Sequence, residues 1–98
     1  MIKGEIKLAK VLVATGTSQN KMNKVVELLQ TGLNDKNVEA EIVAGNIYET
    51  NVEDINPDVI VLVGVNKLDT EIPTIDGVPF ITGIGIDNVI NDVVAHIS

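Results

Sequence analysis
Two short aliphatic runs constrain what this chain can become. Lys10 to Ala14 is nearly continuous in apolar residues, and Val59-Ile60-Val61-Leu62-Val63 is apolar throughout. A strand with no polar face must be covered on both sides, the situation of inner strands in a parallel sheet. The stretches between such runs carry a different period. From Asn20 to about Asn34, Met22, Val25, Val26, Leu29 and Leu33 recur at helical spacing with Leu28 alongside, which predicts an amphipathic helix laid on the sheet. Asn34-Asp35-Lys36-Asn37 ends it.

The other elements follow from the same reading. Val38, Ala40, Ile42 and Ala44 alternate with Glu39, Glu41 and Val43, predicting an edge strand with one apolar face. Thr50 and Glu53 are spaced as a capping box for a short helix containing Val52 and Ile55, closed by Asn56-Pro57-Asp58. Ile72 to Phe80 reads as a short interrupted strand, and Pro73 and Pro79 place it at a sheet edge. Ile86, Val89, Ile90, Val93, Val94 and Ile97 predict a terminal amphipathic helix.

Strands alternating with helices specify an open α/β domain with right-handed crossovers. Putting the two most apolar strands in the middle and the charged one at an edge gives the order 2-1-3-4. The expectation is one domain over residues 1–98, a four-stranded parallel sheet with helices on both faces in three layers. Strand order reverses between the first and third strands. Ligands of open α/β sheets bind at such a crevice, outside the carboxyl ends of the strands. Its lining loops would be Thr15 to Lys21 and Gly64 to Thr70.

Composition narrows the function classes. A hydrophobic fraction of 45% over 98 residues supports one packed core, and Tyr48 and Phe80 are the only aromatics, so that core is aliphatic. A net charge of −7 without a basic stripe argues against nucleic acid and against docking on anionic lipid. Cysteine is absent, which excludes disulfides, thiolate metal sites and thiol catalysis. His96 is the lone histidine, and the acids Glu49, Glu53, Asp54, Asp87 and Asp92 have no metal-like spacing, so neither metal nor cofactor is expected. MIKGEIKLAK lacks the apolar core of a secretory signal, and no apolar run approaches the ~18 residues of a membrane span. The expectation is a cytoplasmic monomer without membrane insertion.

The loop Thr15-Gly16-Thr17-Ser18-Gln19-Asn20-Lys21 leads into a helix. Unpaired N–H groups and the helix dipole favour an anion there. Gly16 permits close approach, Thr17 and Ser18 offer hydroxyls, and Lys21 adds positive charge. Gly16, Thr17, Ser18, Gln19, Asn20 and Lys21 are therefore candidate phosphate-binding residues. The competing reading is that Thr17, Ser18 or Asn20 simply caps the helix, since the stretch is no Walker motif and holds one glycine. Lys67, in the second loop, either supports an anion or is a solvated loop charge. Asp76-Gly77 is a turn signal, and Gly83 and Gly85 permit the bend into the last helix.

Three segments carry a resemblance to a known family: Val11 to Thr17, Asp58 to Val61 and, most specifically, Ile72-Pro73-Thr74-Ile75-Asp76-Gly77-Val78-Pro79-Phe80-Ile81-Thr82-Gly83-Ile84-Gly85. The chain from Lys10 onward resembles the IIB components of the bacterial phosphoenolpyruvate-dependent sugar phosphotransferase system, most closely the galactitol type. The resemblance implies a relay of phosphate from a histidine of a IIA partner to a sugar bound by a membrane IIC partner. In the family a cysteine directly after the first strand carries the phosphoryl group, in an Ala-Cys-Gly pattern. Ala14-Thr15-Gly16 puts Thr15 at that place, making it the candidate catalytic residue. The family's cradle of small hydroxyl residues corresponds to Ser18-Gln19-Asn20-Lys21-Met22-Asn23, which departs from the pattern, whereas Thr17 fits it.

The replacement bears on the chemistry. A cysteine thiol has an ordinary pKa near 8.5 that a helix N-terminus lowers, whereas a threonine hydroxyl needs an adjacent base. Asp69 or Glu71, in the loop after the third strand, could approach as that base, each also readable as a solvated charge. His96 falls in the last turn of the terminal helix, where the dipole suits it. A phosphothreonine would be an ordinary ester, too stable to pass its group to a sugar hydroxyl. The sequence thus leaves open a IIB relay component, a non-catalytic module that docks IIA, IIC or an anion, and an unrelated flavodoxin-like ligand binder. Change in the cradle as well as the acceptor favours natural divergence over a single introduced substitution.

Overall fold
In the computed structural model, which describes residues 8–16, 19–46, 51–64 and 70–97, the two aliphatic runs lie side by side. The described elements are β1 (Ala9–Thr15), α1 (Gln19–Asp35), β2 (Ala40–Asn46), α2 (Val52–Ile55), β3 (Val59–Val63), β4 (Thr74–Asp76), α3 (Pro79–Thr82) and α4 (Ile86–Ile97). Their four strands form one sheet in the order β2-β1-β3-β4, and every pairing is parallel. This is the order expected from placing the most apolar strands in the middle.

Alternation along β1 and β3 divides the core in two. Val11, Val13, Val59, Val61 and Val63 point to the side of α1, α3 and α4, where Val25, Leu29, Leu33, Phe80, Ile90 and Val93 meet them. Leu12, Ala14, Ile60 and Leu62 point the other way, against Val43, Val52, Ile55 and Ile72. The handedness rule accounts for this division. Passing from β1 to β2 and then back across to β3 reverses direction, so two right-handed crossovers must lie on opposite faces. Hence α1 covers one face and α2 the other. The step from β3 to β4 continues in the same direction as β2 to β3, and Ile72 of that connection packs on the α2 face.

Polar residues set the element ends. Asn37 adopts φ 58°, and Val38 N–H donates to the Leu33 carbonyl at 2.9 Å while Asn37 N–H donates to Asn34 at 3.0 Å. That is a Schellman closure with asparagine in the left-handed position. At the amino ends of β1 and β3, Lys10 N–H donates to Asp58 Oδ2 at 2.8 Å, Asp58 N–H donates to the Lys10 carbonyl at 2.8 Å, and Lys10 Nζ donates to the Ile55 carbonyl at 3.0 Å. This clamp fixes the α2–β3 turn to β1.

Three expectations are corrected. The fourth strand spans only Thr74–Asp76 rather than Ile72 to Phe80. Asp76 Oδ1 accepts from Val78 N–H at 2.9 Å, turning the chain, and Pro79 then starts α3, whose one buried residue is Phe80. The cap of α2 is Asn51, which accepts from Asp54 N–H at 3.2 Å; Thr50 lies outside the described residues. Ala44, expected on the inner face of β2, is exposed, because α1 runs antiparallel to the strands and brings only its polar first turn over their carboxyl ends.

Gly77 has no room for a side chain. A Cβ there would lie 2.7 Å from Val61 Cγ1 and 2.9 Å from Val63 Cγ2, and its N–H donates to the Leu62 carbonyl at 2.8 Å. Gly77→Ala is expected to destabilise the domain by about 1–3 kcal/mol through overpacking, read as a lower denaturation midpoint with unchanged m-value.

Candidate functional site
The carboxyl ends of β1 and β3 form the switch point of the sheet. Thr15 ends β1, in register with Asn46 on one side and Val63 on the other. It belongs to the strand, not to the loop expected from Thr15 to Lys21. Strand alternation turns its side chain to the α1 face, with Val11 and Val13, and it is 1% exposed. Gly16 continues the ladder, donating its N–H to the Val63 carbonyl at 3.4 Å. That amide is therefore directed along the sheet. Gly16 and Gly64 are both exposed, and a Cβ on Gly64 would come within 3.9 Å of Gly16 N. The crevice floor is bare backbone.

The start of α1 is electrostatically suited to an anion. Its first turn holds no acidic residue, although acids are usually favoured at that end of the dipole and outnumber Lys plus Arg by 14 to 7 in the chain. Lys21 lies one turn before Val25, Leu29 and Leu33, the buried residues of α1, so helical geometry carries it on the sheet-facing side above the strand ends. Asn20 is exposed. Gln19 Nε2 donates to Asn23 Oδ1 at 3.0 Å, so this side chain runs along the helix and not toward Gly16. Thr17 and Ser18 lie outside the described residues. Of the expected cradle, the structure brings Thr15, Gly16 and the first turn of α1 to one end of the sheet.

Glu71, one of the two acids considered as a base for Thr15, is not brought there. Glu71 lies with Val52 and Glu53 around a cavity on the α2 face, opposite the face Thr15 addresses. His96 is at the far end of the sheet, in a cavity with Leu8, Ala9 and Asp58, and its Nδ1 donates to the Asp92 carbonyl at 2.7 Å. Asp69 and Lys67 lie outside the described residues. Gly83 and Gly85 take φ 81° and 83°, as the bend into α4 requires. Among the described residues no group of three or more His, Asp or Glu is placed to hold a metal ion, and no helix is long and apolar enough to cross a membrane.

Two features of the site escaped the sequence reading, the place of Asn46 and the backbone conformation of Gly64. Asn46 flanks Thr15 in register, and its only signal was a polar residue ending an otherwise half-apolar strand. Gly64 holds φ 117°, a conformation that L side chains rarely adopt. Gly64→Ala is expected to cost about 1–3 kcal/mol of stability from backbone strain, measured by equilibrium unfolding, and to displace the crevice floor, measured as amide shift changes at Gly16 and Thr15.

No family model and no curated protein matches the chain. Among solved structures it is similar to the lactose-specific IIB component domain of the phosphoenolpyruvate:carbohydrate phosphotransferase system from Streptococcus pneumoniae. That likeness covers 92% of this chain and 98% of that domain, with 19% identity and a TM-score of 0.62. A short-chain flavodoxin aligns over 65% of this chain and 45% of its own, at 19% identity and a TM-score of 0.42, too low to carry an argument. The first likeness shows the fold: the chain has the α/β architecture of a phosphotransferase-system IIB domain.

Proposed function
We propose that this chain is a cytoplasmic IIB-type component of the sugar phosphotransferase system, of galactitol type, that docks IIA and IIC partners without relaying phosphate between them. The shared fold supports the IIB assignment. The galactitol assignment rests on the resemblance of the Ile72 to Gly85 segment and goes further than the fold does.

The observation that carries the absence of relay is the burial of Thr15, 1% exposed at the position of the family's acceptor. Phosphoryl transfer between two proteins needs the acceptor atom about 3–3.5 Å from the incoming phosphorus and in line with the leaving nitrogen. A side chain packed toward α1 does not offer that approach. Activation of a threonine hydroxyl also calls for a base, and Glu71 and His96 are both elsewhere. Gly16, Asn20 and Lys21 then serve to receive the phosphoryl group of a docked partner, or another anion, without a covalent bond. The acid-free first turn of α1, with Lys21 above it, favours that role. The same feature supports a second reading in which relay survives through Thr15, provided docking turns its hydroxyl outward.

Incubation with labelled phosphoenolpyruvate, the general phosphotransferase proteins and a galactitol-type IIA distinguishes the two. Label is expected to stop on IIA, while IIA binding to this chain persists by calorimetry. Thr15→Cys alone is expected to leave sugar phosphorylation unrestored, because the cradle as well as the acceptor has changed. Label on Thr15 that passes to galactitol when IIC is added would sink the docking-only reading.

A further inference from the structure
Among the described residues the α2 face of the sheet is thinly covered, and it carries a partly apolar groove whose upper end reaches Gly64 at the edge of the crevice. Two depressions follow one another along the segment Thr70 to Val78. One, of about 430 Å³, includes Val52 and Ile72 in its lining; the next, of about 320 Å³, includes Leu62 and Val78. They exist because α2 is a single turn of four residues and β4 has three, so no described helix spans the sheet on this side. Glu53 and Glu71 border the first depression and Asp76 the second. All three are exposed, and no lysine is among the described residues that line either depression.

We infer that this groove docks a Lys- or Arg-bearing amphipathic segment on the cytoplasmic side of the membrane partner, an inference that rests on the docking reading above. Charge complementarity selects this occupant. Cytoplasmic segments of membrane proteins near their spans are enriched in Lys and Arg. A domain of net charge −7 is steered toward them while anionic lipid repels it. An apolar floor edged by carboxylates receives the apolar stripe of such a segment and pairs with its flanking cations, in the helix-in-groove manner.

The test uses the full chain against a galactitol-type IIC permease in nanodiscs of zwitterionic lipid, with binding read by surface plasmon resonance at about 100 mM salt. The triple variant Glu53→Lys, Glu71→Lys, Asp76→Lys is expected to weaken permease binding about tenfold or more. A control triple of equal charge change at exposed positions away from the groove, Glu27→Lys, Asp35→Lys, Glu39→Lys, is expected to change it less than about threefold. Calorimetric binding to IIA should be the same for all three proteins, which also verifies folding; if the groove triple is misfolded, Glu71→Lys replaces it, with weakening expected in the same direction. Unchanged permease binding by the folded groove variant, or equal loss in both triples, overturns the groove assignment and leaves the docking reading intact. A native chain that binds IIA but not the permease overturns the groove together with the IIC half of that reading, and one that binds neither overturns both.

Discussion
The burial of β1 against β3 on both faces is the constraint from which the rest of this structure follows. Nine of their residues, Val11 to Ala14 and Val59 to Val63, are in the core, none more than 5% exposed. At about 25 cal/mol per Å² of apolar surface removed from water, such a pair supplies a large share of the driving force. It does so only if each face receives a cover. The reversal of direction at this pair assigns α1 and α2 to opposite sides and opens a crevice at the carboxyl ends. The location of the site is therefore a by-product of how the core is closed.

The strand order and the pairing of the central strands were legible because Val59 to Val63 and Lys10 to Ala14 admit no other placement. Helix α1 was legible to within a residue at each end for the same reason, its apolar stripe having nothing to compete with. The fourth strand was not. Ile72, Ile75 and Phe80 are all apolar and all inward-facing, but the turn at Asp76 and Gly77 hands Phe80 to a helix, and apolarity alone does not distinguish the two. The cap at Asn51 was missed because Thr50 offered the better-known pattern. Of the site, the crevice and the positions of Gly16 and Lys21 could be read in advance. The burial of Thr15 could not, since strand alternation and loop exposure make opposite statements about a residue at the boundary.

Thr15 shows how a fold and its chemistry separate. A threonine at the end of a buried strand is a favourable residue on local grounds, because its β-branched side chain fits a pleated surface. The same position in a relay must hold an atom that ionises readily and faces outward. Packing and relay would place conflicting demands on such a residue, and the burial of Thr15 meets those of packing. The acid-free start of α1 does not depend on that residue, so the electrostatics of this end of the sheet are separable from what Thr15 can do.

The clamp of Lys10, Asp58 and the Ile55 carbonyl lies at the opposite rim from the crevice. The domain is thereby pinned at one pole, while the other ends in the exposed backbone of Gly16 and Gly64. Residues at the crevice rim can therefore change without disturbing the contacts that fix the α2–β3 turn to β1. The two rims of the sheet are in this sense mechanically independent.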